Sequence, residues 1–355
     1  MVNYLSKNEM VERVYRPNFF LEGTTQSSER IKSPVFLVGS ERSGTTLLRL
    51  MLNSHPNMAF WTRFEYATEL VDDEGSFPNL QTYYEWLQKN RNFLIDGALI
   101  DRSLDYPTLV NSFLRQFQSF NSEVSSERNH SEHQPIIGAI IHYHFDRLLH
   151  IWPNARFIHV LRDGRDVSRS CVKMGWAGDG WHGARRWVIA EKLWDEVKLK
   201  VPAERRVEVR FEQLIENTTA TLDGVCQFMG ERYHPDMMNY AIGTEYSLPD
   251  SSLVNQWHTK LSKREIQIIE ARIAPLLVDR DYPLSGLPAI RVSKFDRALM
   301  KLKNKWGILS SRANKYGIPL TSADLIARQL KLEKWSDRIN KKFSVIDSQR
   351  MKQSW

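Results

Sequence analysis

Gly39 and Gly44 enclose Ser40, Glu41, Arg42 and Ser43, and two threonines, Thr45 and Thr46, follow at once. Glycines let main-chain N–H groups converge on one point, hydroxyls add further donors, and the Arg42 guanidinium adds charge. Such a set holds an anion. The flanking segments are those that would position it. The apolar run Pro34–Val38 stops at Gly39, and Leu47, Leu48, Leu50, Met51 and Leu52 then continue at helical density to Asn53, Ser54 and the breaker Pro56. This is a strand, a tight loop and a helix whose positive end faces the loop. The segment is therefore built to hold a phosphate.

The loop is not that of a nucleoside triphosphatase, which needs Lys directly after the second glycine. Thr45 stands there, and the cation comes two residues before that glycine, at Arg42. A P-loop nucleotide kinase, the lesser alternative, would need a lysine that this chain lacks after Gly44. A second basic loop follows a second strand-like run. Arg156–Leu161 leads into Arg162-Asp163-Gly164-Arg165-Asp166-Val167-Ser168-Arg169-Ser170, where Gly164 permits a turn and Asp166 is expected to cap a helix that carries Ser170 back beneath the loop.

The R-S-G-T-T run and this second loop resemble the donor site of sulfotransferases that use 3′-phosphoadenosine-5′-phosphosulfate (PAPS). The resemblance implies that Arg42, Ser43, Gly44, Thr45 and Thr46 surround the 5′-phosphosulfate, with Arg42 on the leaving phosphate. It likewise implies that Arg162 and Ser170 bind the 3′-phosphate. It extends through His150–Ile158, Arg206–Leu214 and Gln256–Ser262, roughly residues 34 to 285. The fold it implies is α/β, a three-layer α/β/α domain with a mainly parallel central sheet and a P-loop-like 5′-phosphosulfate loop. The reaction is sulfonate transfer to a hydroxyl or amine by in-line displacement; the alternative is a PAPS-binding protein without turnover.

Two residues match the family's catalytic base. His142 in Ile140-Ile141-His142 corresponds to the base of cytosolic members, without the Lys and Thr that precede it there. Glu65 lies near the place of the glutamate used by tyrosylprotein sulfotransferases. Other departures are Leu47 in place of a Trp, Phe211 in place of a tyrosine, and Asn255 and Gln256 in place of basic residues before Trp257. The aromatic, glycine-rich stretch Gly175–Gly183 reads as a mobile lid over the acceptor, and Leu80–Phe120 as a helical cover. None of these selects among a carbohydrate, a lipid, a phenolic metabolite or a protein tyrosine.

The chain has 355 residues, 42% hydrophobic, with a formal charge of +7. No apolar run approaches the ~20 residues that span a bilayer, and Met1–Met10 lacks a secretory pattern, so a soluble cytoplasmic protein is expected. Cys171 and Cys226 read as packed free thiols, and no Cys/His spacing suggests a metal. Residues 291–355 hold 16 basic and 5 acidic residues, while Pro283 and Pro288 mark a boundary. The expected organisation is an N-terminal extension (1–30), a catalytic domain (31–290) and a basic helical extension (291–355). The extension is expected to pack its apolar stripe on the core; contact with a membrane surface or polyanion is the other reading, and no nucleic-acid partner is expected.

Overall fold

The computed structural model describes residues 20–21, 31–124, 135–242, 244 and 247–353. Apart from Phe20–Leu21, which pair with Ile100–Asp101, the expected N-terminal extension lies outside them. Five parallel strands form the central sheet: β1 (Val35–Val38), β2 (Met58–Trp61), β3 (Ile136–Ile141), β4 (Arg156–Leu161) and β5 (Arg206–Arg210). Their spatial order is β2-β3-β1-β4-β5. In register, Val38 lies opposite Ile141 on one side and His159 on the other. The chain leaves β1 for the β2 edge, returns through β3, and crosses to β4. This reversal of strand order opens a crevice at the carboxyl ends of β1, β3 and β4.

The inner strands are almost continuously apolar because both their faces are covered. Phe36 and Val38 point to one side, into a core with Phe64, Phe113, Trp152 and Trp194. Val35 and Leu37 point to the other, against Leu48, Met51, Phe211 and Leu214. Helix α1 (Thr45–Asn53) covers the second face, burying Leu47, Leu48, Met51 and Leu52. On the first face lie α2 (Leu80–Leu87), α3 (Arg91–Asp96) and α4 (Tyr106–Val124), with Tyr83, Phe93 and Phe113 in the core. The aromatic segment expected to cover the acceptor thus mainly builds the core. Trp187 and Trp194 of α6 (Gly180–Lys200) are buried, and Cys171 and Cys226 are buried free thiols, as expected.

Helix α5 (Gly164–Lys173) follows β4, α7 (Phe211–Glu216) and α8 (Thr218–Met229) follow β5, and α9 (Lys263–Asp279) starts at a Ser262–Glu265 capping box. Beyond α9 come α10 (Lys294–Tyr316), α11 (Ile318–Gln329) and α12 (Glu333–Gln353). A small core of Ala327, Ile339 and Phe343 holds them together. Here the expectation of an apolar stripe on the main core fails. The α10 face that meets the domain is small and polar: Asn304 Oδ1 accepts the Gly178 N–H at 2.7 Å, and Gly307 abuts the Gly178 backbone. The apolar stripe of α10 faces outward. Among the described residues no helix is long and apolar enough to cross a membrane.

His159 of β4 is fully buried and stacks on Trp194 with ring centroids 4.5 Å apart. Its two nitrogens face Glu191 at 3.2 Å and Glu208 at 3.1 Å, and Arg280 bonds the second Glu191 oxygen at 2.8 Å. Burial disfavours the imidazolium, but the two carboxylates outweigh it and raise the His159 pKa. A raised pKa stabilises the fold fully below the unfolded value of about 6.5 and progressively less as pH climbs through the folded value. The unfolding free energy of the wild type should therefore exceed that of His159→Gln by a margin that shrinks as pH rises above about 6.5. Urea denaturation across that range checks the slope; a constant margin would mean that His159 is neutral in the fold.

Candidate active site

The first loop leaves β1 at Gly39, whose φ of 134° and missing side chain let it pass over β4. A Cβ there would stand 2.5 Å from the Val160 carbonyl oxygen. Arg42 (φ 71°) and Gly44 (φ 104°) both take left-handed backbone, and the Ser43 N–H turns back to the Ser40 carbonyl at 3.1 Å. Gly44 caps α1 without a side-chain acceptor, and the first turn of α1 carries no acidic residue. The leading N–H groups of α1 thus meet no built-in anion. The buried Ser43 hydroxyl likewise finds no partner among the described residues. These donors fit an anion, as the loop sequence implies.

The second loop closes on the first. The Arg162 guanidinium lies 4.1 Å above the Phe211 ring, the same ring that a Cβ on Gly44 would strike at 2.4 Å. Arg162 Nη1 donates to the Arg42 carbonyl at 3.3 Å and Nη2 to the Leu253 carbonyl at 2.8 Å. Burial lowers the Arg162 pKa; Asp166 and Glu212 oppose this, while Arg42 and Arg169 reinforce it. Arg42 Nε donates to Ser170 Oγ at 2.9 Å. Arg42 of the first loop, Arg162 of the second and Ser170 of α5 therefore form one cluster. Arg169, which the sequence reading did not assign, extends it through a 2.8 Å bond to Gln256.

Asp166 does not cap α5. The cap is Asp163, which accepts the Arg165 N–H at 2.8 Å. Asp166 instead accepts the main-chain N–H groups of Gln256 and Trp257 at 3.1 and 2.7 Å. Arg165 is buried, bonded to Asp163 and, at 2.8 Å, to Glu270, with its guanidinium 3.5 Å from the Trp257 ring centroid. These contacts fasten the 253–257 segment over the second loop.

On the other side of the first loop, β3 ends at Ile141 and the chain bends, so His142 enters the crevice. His142 Nδ1 faces the Gly39 carbonyl at 3.0 Å; donating there leaves Nε2 as an acceptor. The His142 main-chain N–H donates to Glu65 Oε1 at 3.3 Å. Glu65, 9% exposed, has its second oxygen buried without a partner among the described residues. Burial raises its pKa above the usual 4.5, although His142 pulls it down. Both base candidates line one cavity of about 680 Å³ together with Arg42, Thr45, Thr46 and Trp176.

Trp176 represents the glycine-rich loop at the cavity, whereas Trp181 packs against Arg272. The loop expected to be a lid is held by α10 through Asn304 and Gly307. The sequence reading missed a further cluster at the cavity wall. The Tyr143 hydroxyl donates to Glu41, and Arg186 bonds both. Arg186 and Arg42 lie 5.3 and 5.8 Å from the Trp176 ring centroid. Burial and the Glu41 carboxylate hold the Tyr143 hydroxyl protonated far above the usual range. No spacing rule joins positions 41, 143 and 186, so only the fold brings them together.

A family model described as "Sulfotransferase family" matches residues 34–235, more than half of the chain. The chain is similar to "Protein-tyrosine sulfotransferase A" of Caenorhabditis elegans, 21% identical over 222 residues, which covers 60% of this chain and 54% of that protein. It is also similar to "Protein-tyrosine sulfotransferase" of Drosophila melanogaster, 23% identical over 245 residues, covering 66% and 46% respectively. The chain thus spans about half the length of these two relatives. Among solved structures it is similar to the "Sulfotransferase Domain from the Synechococcus PCC 7002 Olefin Synthase". That match has a TM-score of 0.42 at 18% identity, covering 70% of this chain and 98% of that one.

The left-handed backbone and the Phe211 floor make Gly44 irreplaceable, whereas Gly224 in α8 has open space around its Cβ position. Gly44→Ala should cost at least about 1–2 kcal/mol from backbone strain alone. Gly224→Ala should stabilise by roughly 0.5–1 kcal/mol. Denaturant unfolding of both variants checks the contrast; equal effects would contradict the loop geometry.

Proposed function

The chain belongs to the sulfotransferase family, and we propose that it moves a sulfonate group from PAPS to a hydroxyl acceptor, the side chain of a protein tyrosine. The observation that carries the donor assignment is the joining of the two anion loops through Arg42, Arg162 and Ser170. The 5′-phosphosulfate would take the N–H groups at the start of α1, the Ser43, Thr45 and Thr46 hydroxyls, and Arg42. The 3′-phosphate would take Arg162, Ser170 and the added cation Arg169. The names of the relatives support tyrosine as acceptor.

The acceptor oxygen forms a bond to sulfur while the bond from sulfur to the bridging phosphate oxygen breaks. Negative charge then grows on the leaving phosphate, where Arg42 and the α1 N-terminus stabilise it. The acceptor proton passes to a base, and Glu65 fills this role best. Its free oxygen lies buried at the cavity wall, and burial makes the ionised carboxylate a stronger base. His142 positions it, since its N–H fixes the other Glu65 oxygen and its ring braces the Gly39 carbonyl. The specific observation that keeps His142 as an alternative base is its Nε2, an acceptor once Nδ1 donates.

Calorimetry with 3′-phosphoadenosine-5′-phosphate and with adenosine 5′-phosphate tests the donor site. Arg162→Ala should weaken the first by roughly tenfold or more, the scale of a charge-assisted bond, and the second little. Equal losses would remove the 3′-phosphate role. With a tyrosine peptide as acceptor, Glu65→Gln should lower turnover about 100-fold or more while bisphosphate binding persists. The larger loss in His142→Ala would make histidine the base. Because the Glu65 pKa is raised, the wild-type rate should climb with pH through a value above 4.5, and this limb should vanish in Glu65→Gln.

A further inference from the structure

Helix α10 presents Phe295, Leu299, Leu302 and Trp306 to solvent, with relative exposures of 76, 57, 55 and 65%. Their spacing of four, three and four residues puts them on one face over roughly 17 Å of helix. At about 100° per residue, Lys303 and Lys305 lie roughly 80° to either side of Phe295, and Asn304 roughly 180° away. The two lysines are exposed and flank the stripe. Asn304 is on the face that holds the Gly178 loop. The inner face of α10 is thus committed to the domain and the outer face is apolar with basic margins. Leu330, Leu332 and Trp335 add exposed apolar surface just before and within the first turn of α12.

We propose that the outer face of α10 lies in the headgroup layer of an anionic membrane. A second copy of the chain would match the apolar stripe but not the charge, because residues 291–355 carry 16 basic and 5 acidic residues and two such surfaces repel. An anionic bilayer accepts both features: the stripe enters the acyl boundary, Trp306 and Phe295 sit at the interface, and the lysines meet lipid headgroups. The Gly178–Gly307 contact on the inner face stays intact in this arrangement, so the bound enzyme keeps the Trp176 loop where it lines the cavity.

Flotation of the full chain with phosphatidylcholine vesicles, and with vesicles of equal phosphatidylcholine and phosphatidylserine, tests the proposal. Binding should be confined to the anionic vesicles and weaken with added salt. Lys303→Glu with Lys305→Glu should reduce it roughly thirtyfold or more. Phe295→Ser with Trp306→Ser should reduce it at least about tenfold, since both rings leave the interface. Both double variants change exposed side chains only, so calorimetric binding of 3′-phosphoadenosine-5′-phosphate should be unchanged and reports their folding. Absence of vesicle binding by the wild type, equal binding to neutral vesicles, or unchanged binding by folded variants would overturn the proposal. A dimer in sedimentation that the Phe295/Trp306 variant dissociates would assign the face to a second copy instead.

Discussion

The crevice at the carboxyl ends of β1, β3 and β4 depends on how closely the first loop passes over the end of β4. Gly39 lies against the Val160 carbonyl, at a distance that admits no side chain, and Gly44 lies against the Phe211 ring in the same way. These two contacts bring the loop low enough for Arg42 to reach Ser170 and for Arg162 to reach the Arg42 carbonyl. The Gly39 carbonyl in turn meets the His142 ring. One loop thereby connects the carboxyl ends of β1, β3 and β4. A side chain at either glycine would lift it away from all three.

The charges in and beneath this crevice are arranged in opposite ways. Beneath it, buried arginines are fully paired: Arg165 with Asp163 and Glu270, and Arg280 with Glu191 and Asp195. Such pairs offset desolvation and fix the geometry of the 253–257 segment and of β4. At the loops, Arg162 has Asp166 at 3.7 Å but also Arg42 and Arg169 nearby, and burial, which the carboxylates only partly oppose, lowers the Arg162 pKa. Excess positive charge held in fixed directions is what a doubly anionic ligand requires. Across the same cavity, burial raises the Glu65 pKa, which accords with the base role proposed for it.

Much of the crevice can be read from local spacing, because a strand, a glycine turn and a helix start are each determined within a few residues. The loop at 39–46 and the strand at 156–161 are of this kind. The α5 cap was misassigned because Asp163 and Asp166 are both plausible caps in sequence, and the main-chain N–H groups of Gln256 and Trp257, some ninety residues on, claim Asp166. The α10 stripe was expected to face inward because its period marks an apolar face without giving its direction. The close Gly178–Gly307 approach turns the small face toward the domain instead.

The sequence by itself determined the two loops rich in glycine and arginine, the α/β character of the domain, and the positions of Glu65 and His142 as the candidates proposed for the base. Each of these rests on residue type and short-range order. Only the tertiary structure decided that Glu65 is buried with one oxygen unpartnered among the described residues, that Arg169 lies close to Arg162, and that Glu41, Tyr143 and Arg186 share a wall with Trp176. Those arrangements depend on strand order and on close packing between distant segments, and burial and separation are properties of the packed chain rather than of spacing along it.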